Sequence, residues 1–409
     1  MRARVTREQI IGFRLTGHRL DHPEDDRGDD IGDDRGGAPA ILNAAGRCGV
    51  QNSPPGSAVL ALAARAPGLT RETFTRAIGA ERTLLQTWSL RGAPYVFPRT
   101  DAALFTAGVL PPTEAAARRF LPGVVPALDE LGLTLGEATD RLEAEIDAVL
   151  RGRALDVHEL GRELAPLLEA GLSAGQLRHW RSEGPHAAGQ PIGEAVVHFL
   201  LRLLCLRGRI CLAPREEDRA RFVLVTEHLG APLPAVDPAD ARADLLRRYL
   251  RAYGPATRAD AAAWIGVGSR DAAAWWDLLA EELAPVDTEA GERWALSADL
   301  PALAAAKLPE GVRVLPPGDP YLRSPDRALL LDPAEQRLLW RNIGGPGAVL
   351  IDGELRATWR PRTRGDRLTV TVTGLSALSA RDRSRVETAA AGLGPLRGAE
   401  HTEVRFTEG

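Results

Sequence analysis

Lysine is almost missing from this chain of 409 residues: of its 51 basic residues all but Lys307 are arginine. Arginine suits bidentate contacts to phosphate and base edges. GC-rich coding, which favours Ala, Arg, Gly and Pro, explains the same bias. Cysteine is also scarce. Cys48, Cys205 and Cys211 form no CxxC pair and no His/Cys cluster, which excludes a disulfide framework and a structural zinc site. No apolar run approaches the ~18 residues that a membrane helix needs. The opening MRARVTREQIIGF has no long apolar segment and no small-residue cleavage site, so no signal peptide and a cytoplasmic location are expected. There is no GxxxxGK[ST], no GxGxxG after a strand, no HExxH and no GxSxG. Nucleotide-binding, metallohydrolase and serine-hydrolase readings therefore lack support. No metal, nucleotide or other cofactor is expected.

What is present is an ordinary globular composition, 44% hydrophobic and 26% charged. The length suggests about two to four domains. The net charge of −4 is unevenly spread, because residues 21–35 (DHPEDDRGDDIGDDR) hold eight acids and two arginines. The rest of the chain is slightly basic. The Asp/Gly run at 21–37 reads as a solvated loop. It is either a surface insertion without a role or a device that repels phosphate from one edge.

Local patterns outline repeated units. Thr6 and Gln9 have capping-box spacing ahead of a helix to Leu20, with Ile10, Phe13 and Leu20 on one face. Helices follow from Ala40, from a Ser57 cap beyond Pro54-Pro55, to Ala77, and from Glu81 to Trp88. Two short strands then flank Arg91-Gly92-Ala93-Pro94. Three helices and a hairpin are the order of a winged helix, a helix-turn-helix variant. The order recurs with helices near 136–150, 155–169, 173–181 and 192–206, then Arg209–Leu212 against Arg221–Val225. It recurs again in ADLLRRYLRAYGP, ATRADAAAWIGV and SRDAAAWWDLLAEEL, with a hairpin turning at Glu289-Ala290-Gly291-Glu292. Beyond Lys307, VRVLPP, ALLLD, AVLIDGELRATWR and DRLTVTVTGL are short β-rich runs. Asp352-Gly353 suits a tight hairpin turn. A closing helix is expected at Arg381–Gly392, and VRFTEG supplies a last strand. The fold class read from these patterns is α+β: tandem winged-helix domains followed by a C-terminal antiparallel β-barrel-like domain. The domains are 1–112 with the acidic loop 21–37, 113–236, 237–300 and 308–409.

Five stretches follow in order: RCGVQNSPPGSA at 47–58, SLRGAPYVFPR at 89–99, LRAYGPATRADAAAWIGV at 250–267, GDPYLRSPDRALLL at 318–331 and GAVLIDGELRATWR at 347–360. Together they resemble the AlkZ/YcaQ-like winged-helix DNA glycosylases, in an actinobacterial-type branch. The resemblance implies a concave basic channel for duplex DNA, and hydrolysis of the N-glycosidic bond of alkylated or crosslinked purines. In that family the chemistry is assigned to Gln-x-Gln or Gln-x-Asp with an apolar residue between. An amide or carboxylate oxygen there can place a water and stabilise oxocarbenium charge. Here Gln51 matches the first position. Ser53 stands at the second, and Asn52 replaces the apolar residue. Gln51-Asn52-Ser53 is thus a catalytic or water-holding site, or a polar turn ahead of Pro54-Pro55.

A second family element, Arg-x-Thr-x-His-like, reads here Arg91-Gly92-Ala93-Pro94-Tyr95. Arg91 is kept, and Tyr95 can stack on a base or bond a phosphate; alternatively it is a half-buried wing residue beside Phe97. Arg270 opens the expected recognition helix and could meet phosphate. Arg356 and Arg360 flank the hairpin that the family presses toward DNA. Each of the three could instead be solvated. Trp264, Trp275 and Trp276 read as core, and His18 as structural. Tyr321, Asp326 and Arg327 either hold the fold or face phosphate. With Lys307 far in sequence from Gln51, Schiff-base lyase chemistry is not expected. Three readings stand: a monomeric, monofunctional glycosylase on double-stranded DNA; a DNA binder or regulator that has lost the catalytic pair; and a protein-interaction module.

Overall fold

The capping box read at Thr6 forms: its hydroxyl accepts from the Gln9 amide, and the Gln9 side chain accepts from the Thr6 amide. The helix it starts, Arg7–Gly17, buries Ile10 and Phe13, and Leu20 beyond it is also buried. This helix packs far from its neighbours in sequence. Side chains at Gly12 and Gly17 would collide with the backbone of Lys307 and of Arg251. Glycine at both points lets helix and backbone touch directly. Arg14 is buried and donates to the carbonyls of Gly254 (3.3 Å) and Pro255 (3.1 Å). Arg7 grips Glu354 through two bonds of 2.7 and 2.9 Å. The strand Ala3–Arg4 pairs in parallel with Leu283–Thr288. The start of the chain is therefore clamped to elements from its later half.

The computed structural model describes residues 3–21, 38–215, 219–340 and 344–407. Beyond Asp21, the acidic loop expected at 21–37 lies outside them. Three successive groups of helices each end in a small sheet. The first has helices Ala38–Gly46, Ser57–Ala63 and Arg71–Ile78. Its sheet orders the strands Val50–Gln51, Pro94–Pro98, Leu84–Trp88. The second has Leu135–Leu150, Val157–Leu164, Ala174–Arg181 and Ile192–Leu206, then Leu155–Asp156 and Ile210–Leu212 on either side of Arg221–Leu224. The third has Pro238–Tyr253, Arg258–Ile265 and Ser269–Asp277, then the hairpin of Leu283–Thr288 and Gly291–Leu296.

Two local expectations fail for physical reasons. The helix expected over 81–88 is a strand, Leu84–Trp88. The preceding helix already ends at Ile78 with Gly79 as its cap, and a positive φ of 54° at Arg82 is incompatible with a helix there. The strand is buried on both faces, so its side chains show no polar alternation. The run ALLLD is not a strand. Arg327–Leu329 is a single 3₁₀ turn, and Asp332 caps the helix Pro333–Leu339 by accepting from the Ala334 and Glu335 amides.

The C-terminal sheet runs Val312–Leu315, Gly347–Ile351, Glu354–Arg364, Arg367–Gly374, His401–Thr407. Asp352 and Gly353 make the tight turn with φ of 51° and 82°, as the sequence pattern predicts. The barrel-like expectation needs correcting. Among the described residues the two outer strands do not meet, so the sheet is open. Its last pair is parallel, joined by the crossover helix Ala380–Ala391, rather than antiparallel. Among the described residues no helix is long and apolar enough to cross a membrane.

The first small sheet separates two cores. Leu85, Tyr95 and Phe97 face the core shared with the second and third groups, where Trp264, Trp275 and Trp276 are buried. Leu84, Val50 and Val96 face the core shared with Val349, Trp359 and Val370 of the C-terminal sheet. One ion pair crosses this second boundary. Arg65 donates to both oxygens of Asp319, at 2.8 and 2.7 Å, and to the Ala61 carbonyl. Neither side chain is more than 1% exposed. Burial opposes the Arg65 charge, but Asp319 more than offsets it and leaves the guanidinium pKa above its ordinary value. Asp319→Asn would leave a buried, unpaired cation. A loss of about 3–5 kcal/mol in urea unfolding is expected; a loss under about 1 kcal/mol would refute a structural role for this pair.

Candidate active site

The Gln51-Asn52-Ser53 segment leaves the edge of the first sheet. Val50 and Gln51 pair with Val96 and Tyr95, and the Asn52 amide donates to the Pro94 carbonyl at 2.8 Å. Strand alternation sends successive side chains to opposite faces. Gln51 shares the face of Tyr95 and Thr87, whereas Asn52 joins Gln86 on the other. There the Asn52 Nδ2 donates to Gln86 Oε1 at 3.2 Å. Its Oδ1 accepts from the Gly56 and Ala58 amides at 3.0 and 3.3 Å. Asn52 thus supplies the cap of the helix Ser57–Ala63. Ser57, expected to be the cap, is its first residue, and its Oγ reaches the Pro54 carbonyl at 2.7 Å.

Gln51 is differently placed. Its side chain is 8% exposed, and Nε2 donates to the Ser53 carbonyl at 3.3 Å. That bond fixes the plane of the amide. The Oε1 accepts no hydrogen bond among the described residues. Ser53 is half-buried, and its hydroxyl has no partner among those residues. An amide oxygen held in this way can accept a hydrogen bond from water and aim the water's lone pair.

The other predicted residues separate into free and committed groups. Arg91, with φ of 55°, donates to the Trp264 carbonyl and to the Tyr95 hydroxyl, tying the first group of elements to the third. Tyr95 is 3% exposed, so its ring is packed rather than presented. Arg270 is exposed on the first turn of Ser269–Asp277 and makes no bond among the described residues. Arg356 reaches the Ser376 hydroxyl at 3.5 Å, and Arg360 donates to the Gly344 carbonyl at 2.8 Å; Arg360 is exposed. Tyr321 is buried, and Asp326 pairs with Arg14 and Arg293 at 3.4 and 3.5 Å, so both hold the fold. Arg327 lies 5.0 Å from the Trp340 ring centre.

Two further arginines are not singled out by the sequence, although Arg323 falls within the stretch GDPYLRSPDRALLL. Arg202 lies over the Trp88 ring at 4.5 Å and donates to the Gly92 carbonyl at 3.3 Å, bracing the turn that holds Arg91. Arg323 lies beside Gly318, next to the Ser53 carbonyl. Behind the segment, His18 is fully buried. Its Nδ1 is 3.8 Å from the Cys48 sulfur, its ring meets Tyr253 and Tyr321 edge-on, and its Nε2 has no partner. Cys48, Cys205 and Cys211 are buried and unpaired. Burial pushes the Cys48 thiol up to about 11, so it is not a thiolate nucleophile. Among the described residues, Asp366, Glu400 and His401 could bring three metal-ligand atoms together, all exposed at the far hairpin.

The chain is α+β and holds an oriented glutamine amide at a sheet edge, with Arg323 close to the segment that carries it. A family model described as DNA glycosylase AlkZ-like matches residues 45–396, and the chain belongs to that family. An interstrand DNA cross-link repair glycosylase of Streptomyces sahachiroi is 26% identical over 340 residues, covering 78% of this chain and 82% of that one. The solved structure of Streptomyces sahachiroi DNA glycosylase AlkZ shares the fold. Its TM-score is 0.74 at 22% identity, over 99% of this chain and 100% of that one.

The two amides should separate in mutants. Asn52→Ala removes a helix cap and strands Gln86, with an expected loss of about 1–2 kcal/mol in urea unfolding. Gln51→Ala should cost well under that. Equal losses would contradict the division of roles. His18 gives a pH signature. Burial, and then Arg65, Arg14 and Arg47, hold its pKa well below the ordinary 6.5. The unfolded chain therefore takes up the proton first, and stability falls as pH drops below about 6.5, by up to ~1.4 kcal/mol per unit from this group. His18→Gln should flatten that slope relative to the parent. An unchanged slope would mean His18 is not buried neutral.

Proposed function

We propose that this protein is a monofunctional DNA glycosylase that releases alkylated or crosslinked purines from duplex DNA in the cytoplasm. The observation that carries the reading is the Gln51 amide, pinned through Nε2 with Oε1 unpartnered. An N7-alkylated purine is cationic and already a good leaving group. Gln51 Oε1 would accept a hydrogen bond from the attacking water, and its partial negative charge would stabilise the oxocarbenium sugar; the base leaves as a neutral purine with the bonding electron pair, and the water's proton passes to solvent after it adds to the sugar carbon. The Ser53 hydroxyl would be a second, uncharged hold on that water. Water is the nucleophile, so the scheme uses no lysine, metal or nucleotide, and a monomer suffices. The curated relative's own substrate, interstrand DNA cross-links, supports the lesion class.

The same reading takes the three helix-and-sheet groups as winged helices spanning 1–112, 113–236 and 237–300. The chain's first strand and helix dock on the third, and the sheet domain spans 308–409. Arg270, Arg356 and Arg360 would meet phosphate, whereas Arg91 and Tyr95 would brace the wing beside the site. A second reading has one observation in its favour. Asn52 is spent on a helix cap and Ser53 carries no charge, so a chain that binds DNA without cutting the glycosidic bond fits the residues too.

Duplex carrying one N7-methylguanine, with alkaline cleavage as readout, separates the two. Base release above the spontaneous rate is expected, falling about 100-fold in Gln51→Ala and less in Ser53→Ala. Lys307→Ala should leave it unchanged, and borohydride should trap no covalent complex. Base release that is indifferent to Gln51→Ala would overturn the mechanism. Salt-sensitive retention of the duplex with no release would establish the binding-only reading.

A further inference from the structure

One cation beside the site has no role in that scheme. Arg323 closes the 3₁₀ turn Pro320–Arg323, whose cap is Asp319. Asp319 is neutralised by Arg65, so the turn is fixed and its carboxylate is not available to Arg323. Among the described residues Arg323 makes no hydrogen bond and no ion pair. It is exposed, yet surrounding protein, together with Arg91 and Arg327, lowers its pKa from the ordinary 12.5. A Cβ built on Gly318, where φ is 77°, would stand 3.0 Å from the Arg323 Nη2 and 2.9 Å from the Ser53 carbonyl oxygen. The guanidinium therefore borders the segment that carries Gln51.

Resting on the glycosylase reading of that segment, we infer that Arg323 grips the backbone phosphate next to the target nucleotide. The chemistry selects phosphate over base. A cationic purine would be repelled by Arg323, whereas a phosphodiester offers two oxygens to a planar donor fork. Arg91 is spent on the Trp264 carbonyl and the Tyr95 hydroxyl, and Arg327 lies over Trp340. No described residue satisfies the Arg323 guanidinium, so its donors are available to phosphate oxygens. Glycine at 318 leaves the two groups room, because any side chain there would press on both the cation and the Ser53 carbonyl.

The test compares the parent protein with Arg323→Gln and Arg323→Lys on an undamaged duplex across a salt series. Arg323→Gln should bind about tenfold more weakly, and its slope of log affinity against log salt should be shallower by about 0.9. Arg323→Lys should restore most of the slope. Thermal midpoints should match, since Arg323 makes no bond within the fold. On duplex with one N7-methylguanine, replacing single phosphates near the lesion by neutral methylphosphonates should weaken the parent at one position and leave Arg323→Gln unaffected there. An unchanged salt slope in Arg323→Gln, methylphosphonate effects that add to it at every position, or no duplex binding by the parent would overturn the inference. A parent that binds with an Arg323-dependent slope yet releases no base would refute the glycosylase reading and leave the phosphate contact standing.

Discussion

The buried pair of Arg65 and Asp319 holds together what the rest of the site needs. Arg65 follows the helix that Asn52 caps; Asp319 opens the turn that carries Arg323. Two charges taken out of water cost several kcal/mol each unless matched. Here both carboxylate oxygens and both terminal guanidinium nitrogens are matched. The pair fixes the distance between the Gln51 segment and the C-terminal part of the chain. The shared core joins the same two bodies, and the ion pair adds a directional link between the segment that carries Gln51 and the turn that carries Arg323.

Strand alternation then divides the labour within three residues. Gln51 and Asn52 are both amides, and composition cannot rank them. The pairing of Gln51 with Tyr95 puts it on the face toward the third group of elements. Asn52 turns the other way and is consumed by Gln86 and by the helix amides. The middle position, where the pattern this chain resembles has an apolar residue, faces inward here. Asn52 fills it as a capping side chain instead. The departure is therefore structural at Asn52 and chemical at Ser53, where a carboxylate or amide is replaced by a hydroxyl.

Much of this was legible in the chain itself. The helices of the second and third groups, the Asp352-Gly353 turn and the Thr6 capping box follow local rules of period and capping, and they fold where those rules put them. Leu84–Trp88 failed because a strand covered on both faces has no alternating pattern to read. ALLLD failed because proline and a capping Asp332 override apolar content. The open sheet was hidden because closure depends on which outer strands meet, and no local signal encodes that. Arg323 and the ion pair were missed for a related reason. Arg65 and Asp319 are separated by 254 positions, and nothing near either one announces the other. Gln51 stood out through its match to the family's spacing, but the free state of its Oε1 belongs to the folded chain alone.

The central claim is that the Gln51 amide oxygen positions the attacking water. A crystal structure of the protein on duplex containing a stable abasic analogue, with free N7-methylguanine present, tests it most directly. The account predicts a water within about 2.7–3.2 Å of Gln51 Oε1, in line with the sugar carbon that loses the base. A Gln51 amide turned onto protein or phosphate, with no water between it and the sugar, would contradict it.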